Sequence, residues 1–260
     1  MTEKPTLVFV PGAWHSSACY GKVIECLQSC GYTCKTMELA TVNPANPAID
    51  DADTDSEIIS TTIENILSTG KNVFLVVHSY GGIPASSATH SFRDRTSPGV
   101  MGIAMIAAFL PPPKTSLVAL LEKHPTTSES GFHKFDSTGH LIEVGGAGPE
   151  TLLYNDLPAE EAGLWASRLQ PHSWICNIKP PSAHGVGWHH IPTHYLICGK
   201  DQVVPPSLQR QMIDDANNTL VSMGSSLRIR GEVVESGHSP FLSMPVETAN
   251  YIRRSVGEKI

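Results

Sequence analysis

Short apolar runs alternate along the chain with longer stretches in which apolar residues recur at helical spacing. This alternation is typical of strand–helix–strand crossover units, and it predicts an α/β fold with a mostly parallel sheet of about six strands flanked by helices. The predicted strands are Leu7–Val10, Tyr32–Glu38, Val73–His78, Val100–Ala107, Tyr195–Cys198 and Leu227–Val234. The predicted helices are Ser17–Cys30, Asp55–Ser68, Ser79–His90, Pro206–Ala216 and Pro245–Ser255.

The helix predicted at Asp55–Ser68 shows the helical pattern clearly. Ile59 and Ile63 belong to its apolar stripe, and the acidic Asp53 and Asp55 lie near its start, where the helix dipole favours negative charge. The preceding stretch, Thr41–Asp53, contains two Asn-Pro pairs and predicts an irregular surface loop.

The stretch Pro111–Pro192 interrupts the alternation. It opens on three prolines, carries two glycine-rich patches and contains no clear strand. Such a length is too great for a structureless loop, so it predicts an inserted cap. We therefore expect a single domain over residues 1–260, with a core of 1–111 and 192–260 and a cap insertion of 112–191.

Composition narrows the class of protein. Hydrophobic residues make up 40% and charged residues 17% of the chain, and the net charge is −7, which disfavours both disorder and a nucleic-acid partner. The longest apolar run, Val100–Leu110, is far shorter than the roughly 20 residues that cross a bilayer. The N-terminus shows no export signal. We expect a cytoplasmic protein with a small-molecule substrate and no membrane partner; its oligomeric state is open, and a homodimer is one option.

Neither the cysteines nor the clustered histidines predict a metal site. The six cysteines form no C-x-x-C pair, so we expect reduced side chains packed as small hydrophobes, with a metal or disulfide cluster as the less favoured alternative. His184, His189 and His190 match no H-E-x-x-H pattern, and no metal is expected there.

A serine at the end of the third predicted strand is the sharpest local signal. The apolar run Val73–Val77 leads to Ser79 and then into small residues. A nucleophile on such a strand-to-helix turn projects its hydroxyl above the sheet edge, and the tight turn favours glycine two residues to either side. Gly81 meets this requirement, whereas Val77 occupies the upstream position. The motif is only half matched, so a plain strand–helix junction without a catalytic serine is an equally good interpretation of this stretch taken alone.

Two later strands are followed by residues that a serine nucleophile needs. Asp201 comes just after Tyr195–Cys198, and His238 lies in a loop after Leu227–Val234. The carboxyl ends of parallel strands share one edge of a sheet, where ligands bind. A serine hydroxyl requires a base, and the base requires an acid that orients it. We therefore expect Ser79, Asp201 and His238 to lie on one side of the sheet.

The first predicted strand supplies a further element at this edge. It ends in the turn Pro11-Gly12, and a glycine-containing turn there can aim a backbone N–H at the reacting carbonyl. The residue after the nucleophile supplies a second N–H. Ala13 and Tyr80 are thus the predicted oxyanion donors.

Taken together, four stretches resemble the signatures of the α/β-hydrolase superfamily, and most closely those of the plant methylesterase and hydroxynitrile lyase branch with its fungal and bacterial relatives. They are Pro11-Gly12-Ala13-Trp14-His15, His78-Ser79-Tyr80-Gly81-Gly82, Gly199–Pro205 and Ser236–Pro240. The resemblance extends from Leu7 to about Ile252. It implies an α/β-hydrolase fold with an inserted cap and no cofactor.

The resemblance also implies roles. Ser79 would be the nucleophile, His238 the general base and then acid, and Asp201 the residue that orients it. Ala13 and Tyr80 would form the oxyanion hole. The residues expected in a substrate pocket are Trp14, His15, Tyr154 and Trp165, whereas His78 is expected to pack beneath the serine turn.

Two positions depart from the family pattern. Pro11 stands where many relatives have histidine, which should leave the neighbouring backbone donor intact. Ser239 follows the catalytic histidine where hydroxynitrile lyases carry a lysine that handles cyanide, so cyanohydrin cleavage is not expected.

Three functions follow as hypotheses. The favoured one is hydrolysis of a carboxylic ester, thioester or lactone of a small molecule, with aromatic and polyketide-type substrates among the candidates. A related site can instead perform lyase, cyclase or C–C cleavage chemistry in secondary metabolism, because fold alone does not choose among them. The third hypothesis is a small-molecule receptor that turns over slowly.

Overall fold

The computed structural model describes residues 3–123 and 132–260. The strands, in chain order, are β1 (Thr6–Val10), β2 (Cys34–Thr36), β3 (Val73–His78), β4 (Val100–Ile106), β5 (His133–Phe135), β6 (Leu141–Val144), β7 (His172–Ser173), β8 (Thr193–Cys198) and β9 (Arg230–Val234). The α-helices are α1 (Gly21–Ser29), α2 (Ala52–Leu67), α3 (Gly82–His90), α4 (Leu117–Lys123), α5 (Pro149–Leu152), α6 (Ala159–Ala166), α7 (Ile175–Ile178), α8 (Pro206–Ser222), α9 (Pro240–Ser243) and α10 (Pro245–Val256).

The main sheet has six strands within the described residues, in the order β2-β1-β3-β4-β8-β9, and every neighbouring pair is parallel. All residues of β1 and β3 are buried. Strands covered by helices on both faces are apolar throughout, which is why they read as continuous apolar runs. The predicted α/β fold with about six strands is confirmed.

Alternate residues of β1 face opposite sides of the sheet. Val8 and Val10 pack in an apolar cluster with Ile59 of α2, whereas Leu7 and Phe9 pack in a second cluster with residues of α1 and α10. This two-residue alternation follows from the pleat of a strand. Two apolar layers, one on each face, therefore hold the sheet and fix where its strands end.

Helix α2 begins earlier than the pattern of apolar residues predicts, at Ala52 instead of Asp55. The Asp51 side chain accepts hydrogen bonds from the backbone N–H groups of Asp53 and Thr54, at 3.0 and 3.2 Å. The Thr54 side chain in turn accepts from the Asp51 N–H, which completes a capping box. The helix start is thus set by polar side chains and not by the apolar stripe.

The cap contains strands, and our expectation that residues 111–192 hold none was wrong. Strands β5, β6 and β7 form an antiparallel sheet in that order. Each has two to four residues, too few to show an alternating pattern. The part of the predicted cap at residues 124–131 lies outside the described residues.

The cap attaches to the core through backbone pairing as well as side chains. Val42 forms an antiparallel bridge with His172 of β7, and the Ser173 N–H donates to the Thr41 carbonyl at 2.8 Å. Among the helices of residues 3–123 and 132–260, none combines the length and apolar character that crossing a bilayer demands.

Candidate active site

Ser79 occupies a sharp turn directly after β3. Its φ is +51°, in the left-handed region that side chains other than glycine rarely adopt. A short 3₁₀ turn, Ser79–Gly81, then leads into α3. The backbone at this position is strained by an amount on the order of 1–2 kcal/mol. The strain turns the serine side chain out of the strand direction at the edge of the sheet.

The turns after β1 and β3 pack so closely that side chains do not fit between them. A Cβ added at Gly12 would lie 2.8 Å from the Ser79 Cβ, and one added at Gly81 would lie 2.5 Å from the Pro11 carbonyl oxygen. Val77, by contrast, is a fully buried strand residue opposite Met105 of β4. Only the downstream glycine of the half-matched motif is therefore required in this chain.

The structure brings Ser79, His238 and Asp201 into one hydrogen-bonded chain. His238 Nε2 lies 2.9 Å from Ser79 Oγ, and His238 Nδ1 lies 2.8 Å from Asp201 Oδ2. All three side chains are at most 5% exposed. An ionised carboxylate only accepts, so Nδ1 carries the proton and Nε2 is left to accept the proton of the serine hydroxyl.

Asp201 is fixed by four donors. Its Oδ1 accepts from the backbone N–H groups of Val203 and Val204 at 2.8 and 2.9 Å, and its Oδ2 accepts from Gln209 Nε2 at 3.1 Å in addition to His238. These bonds lock the carboxylate in the orientation that His238 uses.

Gln209 is a site residue that sequence reasoning missed. Its side chain is fully buried at the start of α8, and its Oε1 accepts from the Cys198 N–H at 3.0 Å. Gln209 therefore ties the end of β8 to the carboxylate of Asp201. A signal was present, because Gln209 is the polar member of the buried stripe that continues through Met212 and Ile213.

The predicted oxyanion donors lie on the two turns that flank Ser79. Tyr80 is the second residue of the 3₁₀ turn, where backbone N–H groups have no acceptor within the helix. Ala13 follows Gly12, whose close approach to Ser79 brings the β1 turn against the serine. Both residues thus lie on turns next to the serine, and their role as oxyanion donors remains a prediction.

His15 and Tyr154, both predicted pocket residues, bond to each other. Tyr154 OH lies 2.9 Å from His15 Nε2, and His15 Nδ1 lies 2.8 Å from the Ala13 carbonyl oxygen. Burial lowers the pKa of His15 to about 4, so its ring is neutral near pH 7. The carbonyl fixes the tautomer: Nδ1–H donates to Ala13, and Nε2 accepts from Tyr154. Their contact with a substrate remains a prediction.

Trp14 joins the β1 turn to the cap. Its Nε1–H donates to the Ile142 carbonyl at 3.1 Å, and its ring packs against those of His133 and His172. It also lines a cavity of about 220 Å³ between the turn and the cap. Trp165 packs elsewhere, on the apolar layer around α1 and under the Arg168 guanidinium, 4.7 Å from its ring centre. Its predicted substrate contact is also untested.

A buried polar network lies behind Tyr80. Asp55 Oδ2 accepts from the Tyr80 hydroxyl at 3.0 Å and from Thr41 Oγ1 at 2.6 Å, and Thr41 Oγ1 lies 3.1 Å from His172 Nε2. Burial raises the pKa of Asp55 to about 6, although hydrogen bonds from Thr41 and Tyr80 oppose the shift. The network connects α2, the serine turn and the cap.

This network extends one expectation and corrects another. Asp55 lies in the first turn of α2, where the sequence pattern predicts an acidic residue, and its side chain is in addition fully buried and hydrogen bonded. Thr41 was assigned to a surface loop, yet it is 0% exposed. Both side chains are buried because the loop after β2 lies beneath the cap.

His78 packs beneath the serine turn as predicted. Its ring centre lies 4.6 Å from that of His238, and its Nε2–H donates to the His238 carbonyl at 3.0 Å. Burial holds the pKa of His78 well below its ordinary value, so the ring is neutral. In the parts of the chain that the structure covers, no group of three or more histidine, cysteine or acidic side chains has metal-binding geometry.

A parallel sheet that carries a strained serine turn, with an acid and a histidine after later strands, defines the α/β hydrolases as a class. The model of the Alpha/beta hydrolase family matches residues 7–251. The chain belongs to this family.

Individual relatives agree with this assignment. The chain is 27% identical over 263 residues to an alpha/beta hydrolase from Aspergillus novofumigatus, a match that covers 99% of this chain and 98% of the relative. It is 27% identical to methylesterase 7 from Arabidopsis thaliana over 92% of each chain. A pyrethroid hydrolase from Sphingobium faniae JZ-2 shares the fold, with a TM-score of 0.76, 19% identity and 97% coverage of both chains.

Proposed function

We propose that this protein is a serine hydrolase that cleaves a carboxylic ester, thioester or lactone of a small molecule. One observation carries the proposal: the buried chain of hydrogen bonds from Ser79 Oγ through His238 to Asp201, with distances of 2.9 and 2.8 Å. This arrangement provides the nucleophile, the base and the orienting acid that acyl transfer requires.

In the first half of the proposed reaction, Ser79 Oγ attacks the carbonyl carbon of the substrate. His238 Nε2 takes the hydroxyl proton, and Asp201 stabilises the imidazolium that forms. The N–H groups of Ala13 and Tyr80 donate to the oxyanion, and each such donor contributes roughly 2.7–4 kcal/mol in comparable sites. His238 then protonates the leaving oxygen or sulfur, which leaves an acyl-Ser79 ester.

In the second half, water attacks the acyl-Ser79 carbonyl while His238 Nε2 accepts its proton. The oxyanion returns to the same two N–H donors. Collapse of the tetrahedral intermediate breaks the bond to Ser79 Oγ, and His238 returns the proton to the serine. The product is a free acid, and none of these steps uses a cofactor.

Two considerations support ester chemistry within the family. One relative is named a methylesterase and one structural neighbour a pyrethroid hydrolase. Ser239 also occupies the position at which the hydroxynitrile lyases carry lysine. The proposed substrate is therefore a small ester.

The test combines a fluorophosphonate probe with short-chain aryl esters. We expect the wild type to be labelled and to hydrolyse at least one ester, and Ser79→Ala to lose both properties. Ser29→Ala removes an exposed serine hydroxyl at the end of α1 and should behave as the wild type. Labelling without ester turnover would favour lyase or cyclase chemistry or a receptor, and a folded wild type that is never labelled would overturn the proposal.

A further inference from the structure

Three consecutive cap residues, Tyr154, Asn155 and Asp156, follow α5 and bond to the turns that carry the proposed catalytic groups. We infer that they are positioning residues, which hold the oxyanion turn, the acid turn and the histidine loop in register with one another. The inference rests on the proposed function. It adds to that function the residues that align the proposed catalytic groups. We refer to Tyr154–Asp156 as the alignment segment.

Tyr154 acts on the oxyanion turn through His15. The tyrosine hydroxyl donates to His15 Nε2 at 2.9 Å, and His15 Nδ1–H donates to the Ala13 carbonyl at 2.8 Å. Both side chains are at most 3% exposed, so water does not compete for these bonds. The bonded carbonyl fixes the orientation of Ala13, the residue whose N–H is the proposed oxyanion donor.

Asn155 acts on the acid turn. Its Nδ2 donates to the Lys200 carbonyl at 3.0 Å, and Lys200 immediately precedes Asp201. The Lys200 N–H donates in turn to the Ser236 carbonyl at 2.9 Å. The bond from Asn155 therefore restrains the point at which the acid turn and the histidine loop already meet.

Asp156 acts on the histidine loop. Its Oδ2 accepts from the Gly237 N–H at 2.7 Å, and Gly237 immediately precedes His238. A Cβ at Gly237 would lie 2.1 Å from Asn155 Oδ1 and 2.8 Å from Asp156 Oδ1. The side chains of the alignment segment thus lie directly against the backbone of this loop.

One buried oxygen of Asp156 lowers the stability of the fold, which favours a positioning role for this residue over simple packing. Asp156 Oδ1 is buried and has no hydrogen-bond partner among the residues described. A buried polar atom without a partner destabilises a fold, and such atoms in native proteins are associated with strain or function.

The experiment measures kcat and KM for an aryl ester, the fraction of enzyme labelled by a fluorophosphonate, and Tm. The variants are Tyr154→Phe, Asn155→Ala and Asp156→Ala. Misplacing reacting groups by about 1 Å can cost on the order of 100-fold in rate, so we expect kcat per labelled site to fall about 10- to 100-fold. KM should stay within about twofold for Asn155→Ala and Asp156→Ala, since neither residue is proposed to bind substrate. For Tyr154→Phe only kcat is the test, because Tyr154 is also a predicted pocket residue.

Two controls and one rescue accompany these variants. Tyr32→Phe removes a buried phenol hydroxyl that bonds Glu258, and Glu160→Ala removes an exposed carboxylate in α6. Neither should change kcat. Asp156→Asn keeps an oxygen that accepts from the Gly237 N–H, so it should recover kcat to within about threefold of the wild type.

A purely structural role predicts a different result, namely a lower Tm with a wild-type kcat for every site that is labelled. That result would overturn the inference. Hydrogen exchange over residues 236–240 provides a readout that does not depend on ester turnover. Asp156→Ala should exchange about tenfold faster there and Glu160→Ala should not; equal exchange in both would overturn the inference even if the chain proves not to be an esterase.

Discussion

The turns at the carboxyl edge of the sheet and the cap contribute to the same site in different ways. Ser79, Asp201 and His238 each lie within four residues of the end of a strand, so short stretches of sequence define their surroundings. The cap contributes bonds between residues far apart in the chain, such as Trp14 with Ile142 across 128 positions and Tyr154 with His15 across 139. The proposed catalytic residues are thus set by short stretches of sequence, whereas the cap contacts join residues that are distant in the chain.

Replacing a residue of the sheet edge should remove activity and spare stability. For His238→Ala we expect kcat/KM to fall about 10⁴-fold or more, because the serine loses its base. Tm should change much less than activity, since Asp201 keeps three other donors when the imidazole is removed. Ester kinetics and calorimetry check both expectations, with the exposed His184→Ala as the control. A variant that retains a tenth of the activity would contradict the assignment of the base.

Replacing a residue that joins the two regions should reduce stability first. Trp14→Ala removes a buried ring and its hydrogen bond to Ile142, so we expect a loss of about 3–5 kcal/mol in the free energy of unfolding. Urea denaturation measures this loss. The matched variant Trp165→Ala lies at a half-buried position and should change ester preference more than stability. Equal destabilisation by Trp14→Ala and Trp165→Ala would contradict the expectation that Trp14 matters for stability and Trp165 for ester preference.

Gln209→Ala tests whether the sheet edge itself needs support from a helix. The change deprives Asp201 of one donor and the Cys198 N–H of its acceptor. We expect kcat to fall about 10- to 100-fold, equivalent to about 1.4–2.7 kcal/mol. Gln211→Ala, at an exposed position on the same helix, is the control and should leave kcat unchanged. Unaltered kcat in Gln209→Ala would show that the backbone N–H groups of Val203 and Val204 suffice to hold Asp201.

The network that spans both regions should show a small effect, in the pH dependence of stability. The pKa of Asp55 is raised from 3.8 to about 6, so between these values the folded state holds a proton that the unfolded state releases. The contribution of Asp55 to stability is therefore present below about pH 4 and is lost as pH rises through 6. The loss is on the order of 1–3 kcal/mol.

Asp55→Asn removes that dependence, so its stability relative to the wild type should rise between pH 4.5 and 7. Comparing variants is necessary because buried histidines act in the opposite direction: burial lowers the pKa of His15 to about 4 and that of His172 to about 3. The exposed Glu57→Gln should show a flat difference across the same range. A flat difference for Asp55→Asn would contradict the raised pKa.

Much of the core was predictable from sequence because its determinants are local. The apolar runs located all six strands of the main sheet, and the amphipathic stripe located α2, whose start differs by three residues because the N-cap residue Asp51 sets it. The juxtaposition of Ser79, Asp201 and His238 followed from one topological rule, that parallel strands end at a common edge.

The rest was not predictable because its determinants are distant or ambiguous. The cap strands are too short to show a period, and β7 pairs with β6 across the whole of α5 and α6. Asp55 fits the helix-dipole interpretation, and nothing in the local sequence indicates its buried hydrogen bonds to Thr41 and Tyr80. Asn155 and Asp156 carry no motif, since their partners are a carbonyl and an N–H that any residue supplies.

The positive φ of Ser79 has a consequence for how this protein can evolve. At +51°, glycine would fit without the penalty that serine incurs, so Ser79→Gly should stabilise the fold by about 1 kcal/mol. A screen that rewards heat resistance alone would therefore select against the serine. In a gene copy released from selection for turnover, we expect this codon to drift early, while the sheet around it persists.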